Sequence, residues 1–289
     1  MHDYPHVLNV IGAGATPDAF LQALPRAGEP VRLSPTAFDI PFAGDPHAVL
    51  QAARALAPAG ADTNVVAAAN RRKRLLIADM DSTIIGCECL DELADMAGLK
   101  PRIAAITERA MKGEIAFEPA LRERVALLKG LPLAALERTY KERVRLNPGA
   151  EILVATMKAH GARAILVSGG FSYFTSRVAR AAGFDSEQAN SLLDDGTALT
   201  GEVAEPILGR EAKLTALERA VAAQNVSFAD ALAVGDGAND LAMIGRAGLG
   251  VAYHAKPVVA EAAAARIDHG DLTALLALQG YRDDEFVRG

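Results

Sequence analysis

Asp79 and Asp81 lie in an Asp-Met-Asp-Ser-Thr segment that directly follows the apolar run Leu75–Ala78. Side chains of an extended chain alternate between faces with a period of two, so both carboxylates point the same way if the extension continues through Met80. Their charges repel unless a cation lies beside them. Mg²⁺ would supply that charge, because it binds a few oxygen ligands, retains water and accepts phosphate oxygens. The alternative is a loop whose acids cap the next helix.

Two more polar turns follow apolar runs. Ser168-Gly169-Gly170 combines a hydroxyl with two residues that lack Cβ, so backbone N–H groups can approach an anion closely. The later turn Gly235-Asp236-Gly237-Ala238-Asn239-Asp240 places two acids and an amide together. A tight turn with Asx hydrogen bonds is the structural alternative there. Lys213, at the start of a helical segment over residues 213–222, would ordinarily be a surface lysine.

Short apolar runs separated by helix-length segments predict the elements that position these turns. The runs are typical of a parallel sheet with crossover helices, and ligands bind beyond the carboxyl ends of such strands. We therefore predict an α/β fold with a doubly wound, Rossmann-like parallel sheet. The predicted strands are Leu75–Ala78, Ala164–Val167, Leu232–Val234 and Leu249–Val251.

About 85 residues separate the first two predicted strands, which is far more than one crossover helix needs. Four stretches of this insertion have helical spacing, with Gly or Pro breaks between them. A helical cap over the strand ends, at about residues 86–150, is the expected structure. Its predicted helices are Cys89–Ala97, Ile103–Met111, Glu118–Leu128 and Leu133–Arg143.

The polar segments, in this order and with this insertion, resemble the four motifs of the haloacid dehalogenase superfamily of phosphotransferases. The resemblance implies that Asp79 is a nucleophile that accepts a phosphoryl group as an aspartyl-phosphate. Asp81 would protonate the leaving alkoxide and later activate water. Ser168, Lys213 and backbone N–H groups would hold the non-bridging phosphate oxygens. The implied ligands of Mg²⁺ are Asp79, Asp236 and the main-chain carbonyl of Asp81, with Asp240 as outer support.

The insertion narrows the substrate, because several of its segments resemble the phosphoserine phosphatase family over roughly Leu75 to Asp271. That family hydrolyses O-phospho-L-serine in the last step of serine biosynthesis. The resemblance implies that Glu88 pairs with the substrate amino group and Arg124 with its carboxylate. It also implies two apolar cap residues, Met111 and Phe117, and two further substrate-binding residues, Gly169 and Asn239. The segments are Gly86–Leu90, Thr107–Gly113, Phe117–Val125, Ser168–Phe171 and Gly248–Pro257.

Helical spacing makes an independent case for Arg124. Leu121, Arg124, Val125 and Leu128 stand at i, i+3, i+4 and i+7, so the guanidinium emerges within an apolar stripe. An arginine in that position favours a carboxylate or phosphate partner. The alternative is an arginine that reaches water from the edge of the stripe.

The first 70 residues are predicted to form a small α/β unit, with a strand at His6–Ile11 and a helix at Pro46–Leu56. Gly12-Ala13-Gly14 is interpreted as a tight turn, because Pro17 stands where a dinucleotide fingerprint needs its third glycine. The position of this unit matches the regulatory, amino-acid-binding (ACT-like) extensions of some phosphoserine phosphatases. We interpret the basic run 71–74 as the solvated end of a linker.

Composition excludes several classes of protein. The chain of 289 residues predicts about two domains, here 1–70 and 71–289, and its net charge of −6 argues against non-specific nucleic-acid binding. No apolar window is long enough to span a membrane. Cys87 and Cys89 are the only cysteines, and the start of the chain lacks the basic residues of a secretory segment, so we expect reduced thiols and a cytoplasmic location. A homodimer is compatible with the sequence.

Three other functions are open at this point. The substrate could be another phospho-amino acid, for which phosphohomoserine is the discriminating test. A signalling receiver, in which the phosphorylated aspartate is the message, is disfavoured because a receiver needs neither a leaving-group acid at Asp81 nor a long cap. A non-catalytic amino-acid sensor would bind serine without releasing phosphate.

Overall fold

The computed structural model describes residues 4–24, 26–111, 114–209 and 211–288, with Met111 described by its backbone alone. The N-terminal part is a four-stranded antiparallel sheet of the β-α-β-β-α-β type, in the strand order β2-β3-β1-β4. The expected strand His6–Ile11 and helix Pro46–Leu56 are confirmed. The elements are β1 (His6–Ile11), α1 (Pro17–Leu21), β2 (Val31–Ser34), β3 (Ala37–Phe42), α2 (Pro46–Leu56) and β4 (Asp62–Ala67).

The larger part of the chain is built on a second sheet and on helices that flank and cap it. Short 3₁₀ turns at Phe228–Asp230 and Asp283–Glu285 complete it. Its elements are β5 (Leu75–Ala78), a π-type turn (Met80–Ile84), α3 (Cys89–Met96), α4 (Lys100–Met111), α5 (Phe117–Ala126), α6 (Leu133–Arg143), α7 (Ala150–Ala159), β6 (Arg163–Phe171), α8 (Ser172–Ala182), β7 (Ser186–Asn190), β8 (Leu192–Asp194), β9 (Leu199–Val203), α9 (Ala212–Gln224), β10 (Ala231–Gly235), α10 (Leu241–Arg246), β11 (Leu249–Tyr253), α11 (Pro257–Ala262), β12 (Ala265–Ile267) and α12 (Ala274–Leu278).

Six strands form a parallel sheet in the order β12-β11-β10-β5-β6-β7, which confirms the α/β class and the four predicted strands. Every residue of β5 is buried. Leu76 and Ala78 pack into one hydrophobic cluster, and Leu75 and Ile77 pack into another. The alternation shows that both faces of the sheet are covered, as expected for a parallel sheet. Consequently the carboxyl ends of β5, β6 and β10 meet at one edge.

The insertion after β5 forms four helices, α3 to α6, within a few residues of the predicted ones. The hairpin β8–β9, which is not among the predicted elements, extends this cap. The N–H of Gly130 donates to the carbonyl of Leu199 at 2.8 Å, and the N–H of Leu199 donates to the carbonyl of Leu131 at 2.9 Å. Among the described helices, none combines the length and apolar composition that crossing a bilayer requires.

The basic run 71–74 is not solvated throughout, so that interpretation is wrong. The guanidinium of Arg71 pairs with Asp39 and donates to the carbonyl of Leu278 at 2.7 Å. Lys73 is buried, and its ammonium donates to the carbonyls of Asn70 and Ala229 at 2.6 and 2.7 Å. Asp39, Leu278 and Ala229 belong to distant segments, which is why charge patterning along the chain could not reveal these partners. The run instead ties the N-terminal sheet to the parallel sheet.

Candidate active site

The polar turns predicted from the sequence meet in a cleft of about 170 Å³ between the carboxyl edge of the parallel sheet and the cap. A wider cleft of about 330 Å³ lies between the N-terminal sheet and α12. Of the residues that the structure describes, a single carboxylate, Asp271, lines that wider cleft, whereas four carboxylates and two cationic side chains line the smaller one, which is therefore the candidate active site. The smaller cleft is lined by Asp79, Asp81, Glu88, Leu90, Phe117, Leu121, Arg124, Gly169, Gly170, Phe171, Asp236, Gly237, Asn239 and Lys256.

Asp79 directly follows β5 and is anchored on both its main chain and its side chain. Its N–H donates to the carbonyl of Val234 at 3.0 Å. Its Oδ1 accepts the N–H of Met80 at 2.8 Å and lies 2.7 Å from the ammonium of Lys213. Burial raises the pKa of Asp79 well above its usual range, while Lys213 acts in the opposite direction. The described contacts thus occupy Oδ1 and leave Oδ2 for a ligand.

Asp81 lies on the turn after β5. The strand ends at Ala78, so the predicted extension does not continue as part of the sheet, yet Asp81 has extended angles (φ −66°, ψ 136°) and lines the same cleft as Asp79. Ser82, at φ 56°, then reverses the chain. The carboxylate accepts the N–H of Cys89 at 2.9 Å and the hydroxyl of Ser168 at 3.1 Å.

The electrostatic environment suits Asp81 to proton transfer. Burial and the negative charge of Glu88 together raise the pKa of Asp81 to about 6, although the hydrogen bonds from Cys89 and Ser168 act in the opposite direction. A carboxyl group whose pKa lies near neutrality can both donate and accept a proton. This arrangement is the one a general acid and base requires.

Asp79, Asp236 and Asp240 each place one carboxylate oxygen within 4.8 Å of the others. Asp240 is fully buried and both of its oxygens have partners, namely Lys213 Nζ at 2.5 Å and the N–H of Gly237 at 3.0 Å. Burial and the charge of Asp240 raise the pKa of Asp236 to about 6. Clustered carboxylate oxygens fit a hard divalent cation. Asp79 and Asp236 are free to bind it, while Asp240 is placed to support them.

Ser168 and the two glycines after it form the wall beside Asp81. The N–H of Gly170 donates to Ser168 Oγ at 2.8 Å. A Cβ at position 170 would lie 2.9 Å from Asp81 Oδ2 and 3.0 Å from Ser168 Oγ, so only glycine fits without displacing them. The amide of Asn190 donates to the carbonyl of Gly169 at 2.9 Å. The backbone here is therefore held for close approach of a ligand.

The cap contributes an acid and a base to the same cleft. Glu88 accepts the hydroxyl of Ser82 at 2.7 Å. Arg124 is half-buried, and burial lowers its pKa while Asp91 and Glu88 raise it. In the described part of the chain its guanidinium has one hydrogen-bond partner, the carbonyl of Ala120 at 3.3 Å, so most of its donors are available to a ligand. Phe117 lines the cleft, whereas the side chain of Met111 lies outside the described structure.

Lys256 also lines the cleft and was not predicted as a site residue. Its N–H donates to the carbonyl of Asp236 at 3.1 Å. A signal was present in the sequence, because a basic residue follows the buried strand β11 at the carboxyl edge of the sheet. Leu90 and Leu121, which add apolar surface to the cleft, were likewise not predicted as site residues.

Residues 76–245 match the family model of haloacid dehalogenase-like hydrolases. The chain belongs to this family. Within it, the curated phosphoserine phosphatase of Polaromonas sp. (strain JS666 / ATCC BAA-500) is 47% identical over 210 residues, which cover 71% of this chain and 89% of that relative. Some solved structures match a larger share of this chain.

Two of these structures are informative. A probable phosphoserine phosphatase from Vibrio cholerae, in unliganded form, is 31% identical with a TM-score of 0.77 and covers 95% of this chain and 86% of its own. A phospho-aspartyl intermediate analogue of phosphoserine phosphatase is 39% identical with a TM-score of 0.65. It covers 71% of this chain and 98% of its own.

Proposed function

We propose that the protein hydrolyses O-phospho-L-serine to L-serine and phosphate in a reaction that depends on Mg²⁺. The observation that carries this proposal is the composition of one small cleft. Asp79 and Asp81 lie at its sheet side, and Glu88 and Arg124 lie at its cap side. A phosphate ester with an ammonium and a carboxylate group at its other end is complementary to both sides.

The first half-reaction transfers the phosphoryl group to Asp79. A carboxylate oxygen of Asp79 forms a bond to phosphorus while the bond between phosphorus and the serine oxygen breaks. Asp81 gives its proton to that serine oxygen, so L-serine leaves as a neutral alcohol. Lys213 and the N–H of Met80 orient the carboxylate of Asp79 through its Oδ1.

The second half-reaction hydrolyses the aspartyl-phosphate. Asp81, now ionised, removes a proton from a water molecule as the water oxygen bonds to phosphorus, and the bond from phosphorus to Asp79 breaks. Phosphate leaves and Asp81 is protonated again for the next cycle. Ser168 keeps Asp81 in place through its hydroxyl, and closure of the cap over the cleft keeps bulk water from the reacting atoms.

Asp79, Asp236 and the main-chain carbonyl of Asp81 are the proposed ligands of Mg²⁺, and Asp240 supports them through Lys213 and Gly237. When bound, the ion supplies positive charge that offsets the repulsion between these carboxylates and a phosphate dianion. Orientation and charge neutralisation are the main requirements of phosphoryl transfer.

Selectivity for phosphoserine is proposed to come from the cap. Glu88 pairs with the ammonium group of the substrate, and Arg124 pairs with its carboxylate. Phe117, Leu90 and Leu121 add apolar wall, and Asn239 and Gly169 border the phosphate end. The cavity of about 170 Å³ has room for a phosphorylated amino acid.

The decisive experiment measures phosphate release from O-phospho-L-serine with Mg²⁺ and with excess EDTA. We expect turnover with the metal and its loss with the chelator. Asp79→Asn should abolish turnover and leave the melting temperature close to that of the parent, because the amide is nearly isosteric but is not nucleophilic. Asp18→Asn, at an exposed position in α1, is the matched control and should be fully active.

Acid quenching of the enzyme with ³²P-labelled substrate tests the intermediate directly. The label should be recovered on Asp79. Label on another residue, or an active Asp79→Asn variant, would refute the assigned nucleophile. Faster release of phosphate from phosphohomoserine than from phosphoserine would show that another phospho-amino acid is the substrate.

A further inference from the structure

Lys256 has a main chain that is held by hydrogen bonds and a side chain that lines the cleft. Its N–H donates to the carbonyl of Asp236 at 3.1 Å, and its own carbonyl accepts the N–H groups of Val259 and Ala260 at 2.9 and 3.1 Å at the start of α11. The residue as a whole is exposed, yet it lines the same cavity as Asp79 and Asp81. The main chain of Lys256 is thus held at the sheet edge, while its exposed side chain is not fixed by such contacts within the described structure.

Negatively charged side chains outnumber positively charged ones in the cleft. Four carboxylates line it, together with Arg124 and Lys256. Lys213 lies behind the lining and is already paired with Asp79 and Asp240. By contrast, Lys256 takes part in none of the ion pairs formed within 4.0 Å among the described residues. Its ammonium is therefore available to an incoming anion.

Position within the cleft decides which anion this is. Arg124 and Glu88 lie on the cap and face the amino-acid end of a substrate. The main chain of Lys256 is hydrogen-bonded to the loop that carries Asp236. Lys256 therefore lies on the sheet side of the cleft, where the phosphorus atom must lie to be attacked by Asp79. The positive charge of Lys256 lowers the pKa of Asp236, which is consistent with a short distance between the two groups.

We propose that Lys256 is a phosphate-binding residue, whose ammonium contacts a non-bridging oxygen of the bound phosphoryl group and of the phosphate product. This inference rests on the proposed function, because it takes a phosphate monoester as the ligand. An ammonium that donates to a phosphate oxygen forms a charge-assisted hydrogen bond. We expect such a contact to change the affinity for phosphate by about tenfold, which corresponds to about 1.4 kcal/mol.

The test compares Lys256→Gln, Lys256→Arg and the matched surface control Lys129→Gln in the full-length protein with Mg²⁺. We expect Lys256→Gln to raise KM for phosphoserine and for p-nitrophenyl phosphate by the same factor, about tenfold, with a smaller change in kcat. The inhibition constant of orthophosphate should rise in parallel. Lys256→Arg should recover most of the affinity, and Lys129→Gln should match the parent.

Calorimetric titration with orthophosphate separates this inference from the proposed function. Weaker binding of orthophosphate to Lys256→Gln than to the parent supports the inference even if the parent fails to hydrolyse phosphoserine, a failure that would refute the proposed function alone. Unchanged orthophosphate binding would overturn the role of Lys256. A rise in KM for phosphoserine but not for p-nitrophenyl phosphate would also overturn it, because the lysine would then serve the substrate carboxylate.

Discussion

A single buried ammonium organises the carboxylates at the sheet edge. Lys213 lies 2.7 Å from Asp79 and 2.5 Å from Asp240, and its side chain is only 4% exposed. Removing a charge from water is costly, so such a lysine is stable only when its partners are close and ionised. Their negative charges raise the pKa of Lys213, which keeps it protonated. In turn, the lysine opposes the effect of burial on Asp79 and favours the ionised nucleophile.

Arg124 should discriminate between substrates. Arg124→Ala removes the proposed partner of the serine carboxylate, so kcat/KM for phosphoserine should fall about 100-fold, because a bidentate charge-assisted contact is lost. With p-nitrophenyl phosphate, which has no carboxylate, kcat/KM should change less than about threefold. Steady-state kinetics on the two substrates check this.

Arg122→Ala provides the control for that comparison. Arg122 is exposed on the same helix and pairs with Glu205 outside the cleft, so its removal should leave both substrates unaffected. Equal losses on phosphoserine and on the aryl phosphate in Arg124→Ala would contradict the assignment and would mean that this arginine binds phosphate.

At the scale of elements, the two chain segments that enter and leave the cap are paired next to the catalytic turn. Ile85 forms an antiparallel bridge with Leu146, and the N–H of Gly86 donates to the carbonyl of Arg145 at 3.3 Å. Asn147 then binds the turn that carries Asp81. Its N–H donates to the carbonyl of Ile84, and its side-chain amide donates to the carbonyl of Thr83, each at 2.8 Å. The base of the cap and the turn are therefore one connected unit.

Asn147→Ala should lower activity more than stability. The main-chain N–H remains, but the carbonyl of buried Thr83 loses its donor, so the turn that positions Asp81 becomes less constrained. We expect kcat to fall about threefold to tenfold, as expected for a catalytic group displaced by a fraction of an ångström. Kinetics and thermal melting of the same preparation check this.

A second asparagine supplies the matched control. Asn64, in β4, uses its side chain in the same way, because its amide bonds the carbonyl and the N–H of Arg266 at 2.9 and 2.8 Å. Arg266 lies in β12, the strand at the edge of the parallel sheet, so this contact is away from the catalytic turn. Asn64→Ala should lower the melting temperature and leave kcat unchanged. If Asn147→Ala behaves like Asn64→Ala, then Asn147 has only a structural role.

The sequence predicted the central strands and the residues at their ends, because apolar runs report burial and polar turns interrupt them visibly. It missed β7, whose residues Ser186–Asn190 are polar, and β4, whose residues Asp62–Ala67 begin with three polar side chains. Two of these buried side chains, Asp62 and Asn64, form hydrogen bonds with backbone groups of residues 266–270, and no local pattern reports such distant partners. Lys256 was missed as a site residue although it follows the predicted strand β11, because the sequence does not show that β11 lies beside β10.

At the scale of the whole molecule, the N-terminal sheet is joined to the parallel sheet by buried polar contacts. Asp62 accepts the N–H groups of Asp268, His269 and Gly270 at 2.7 to 3.3 Å. Charged side chains left unpaired in such a contact would be costly, so the seam is specific in its geometry. The proposed regulatory role of residues 1–70 would act through this seam.

Arg71 is the residue on which the seam should depend most. Its guanidinium pairs with Asp39 and donates to the carbonyls of Ala277 and Leu278. The side chain of Arg71 is only 13% exposed, and that of Asp39 is only 6% exposed. Arg71→Ala leaves the carboxylate of Asp39 buried without its cation. The free energy of unfolding should therefore fall by about 3 kcal/mol, as for other broken buried pairs. Urea denaturation followed by circular dichroism measures it.

The neighbouring Arg72 is a control for the effect of burial, because it forms a more exposed ion pair with Glu285. The side chain of Arg72 is 45% exposed, and that of Glu285 is 28% exposed. Arg72→Ala should cost less than about 1 kcal/mol. Replacing both buried partners, as in Arg71→Met with Asp39→Leu, should recover part of the loss, since no unpaired charge then remains. If Arg71→Ala were no more destabilising than Arg72→Ala, the seam would not depend on the buried pair, and the N-terminal sheet would be held by Asp62 and the apolar contacts around it.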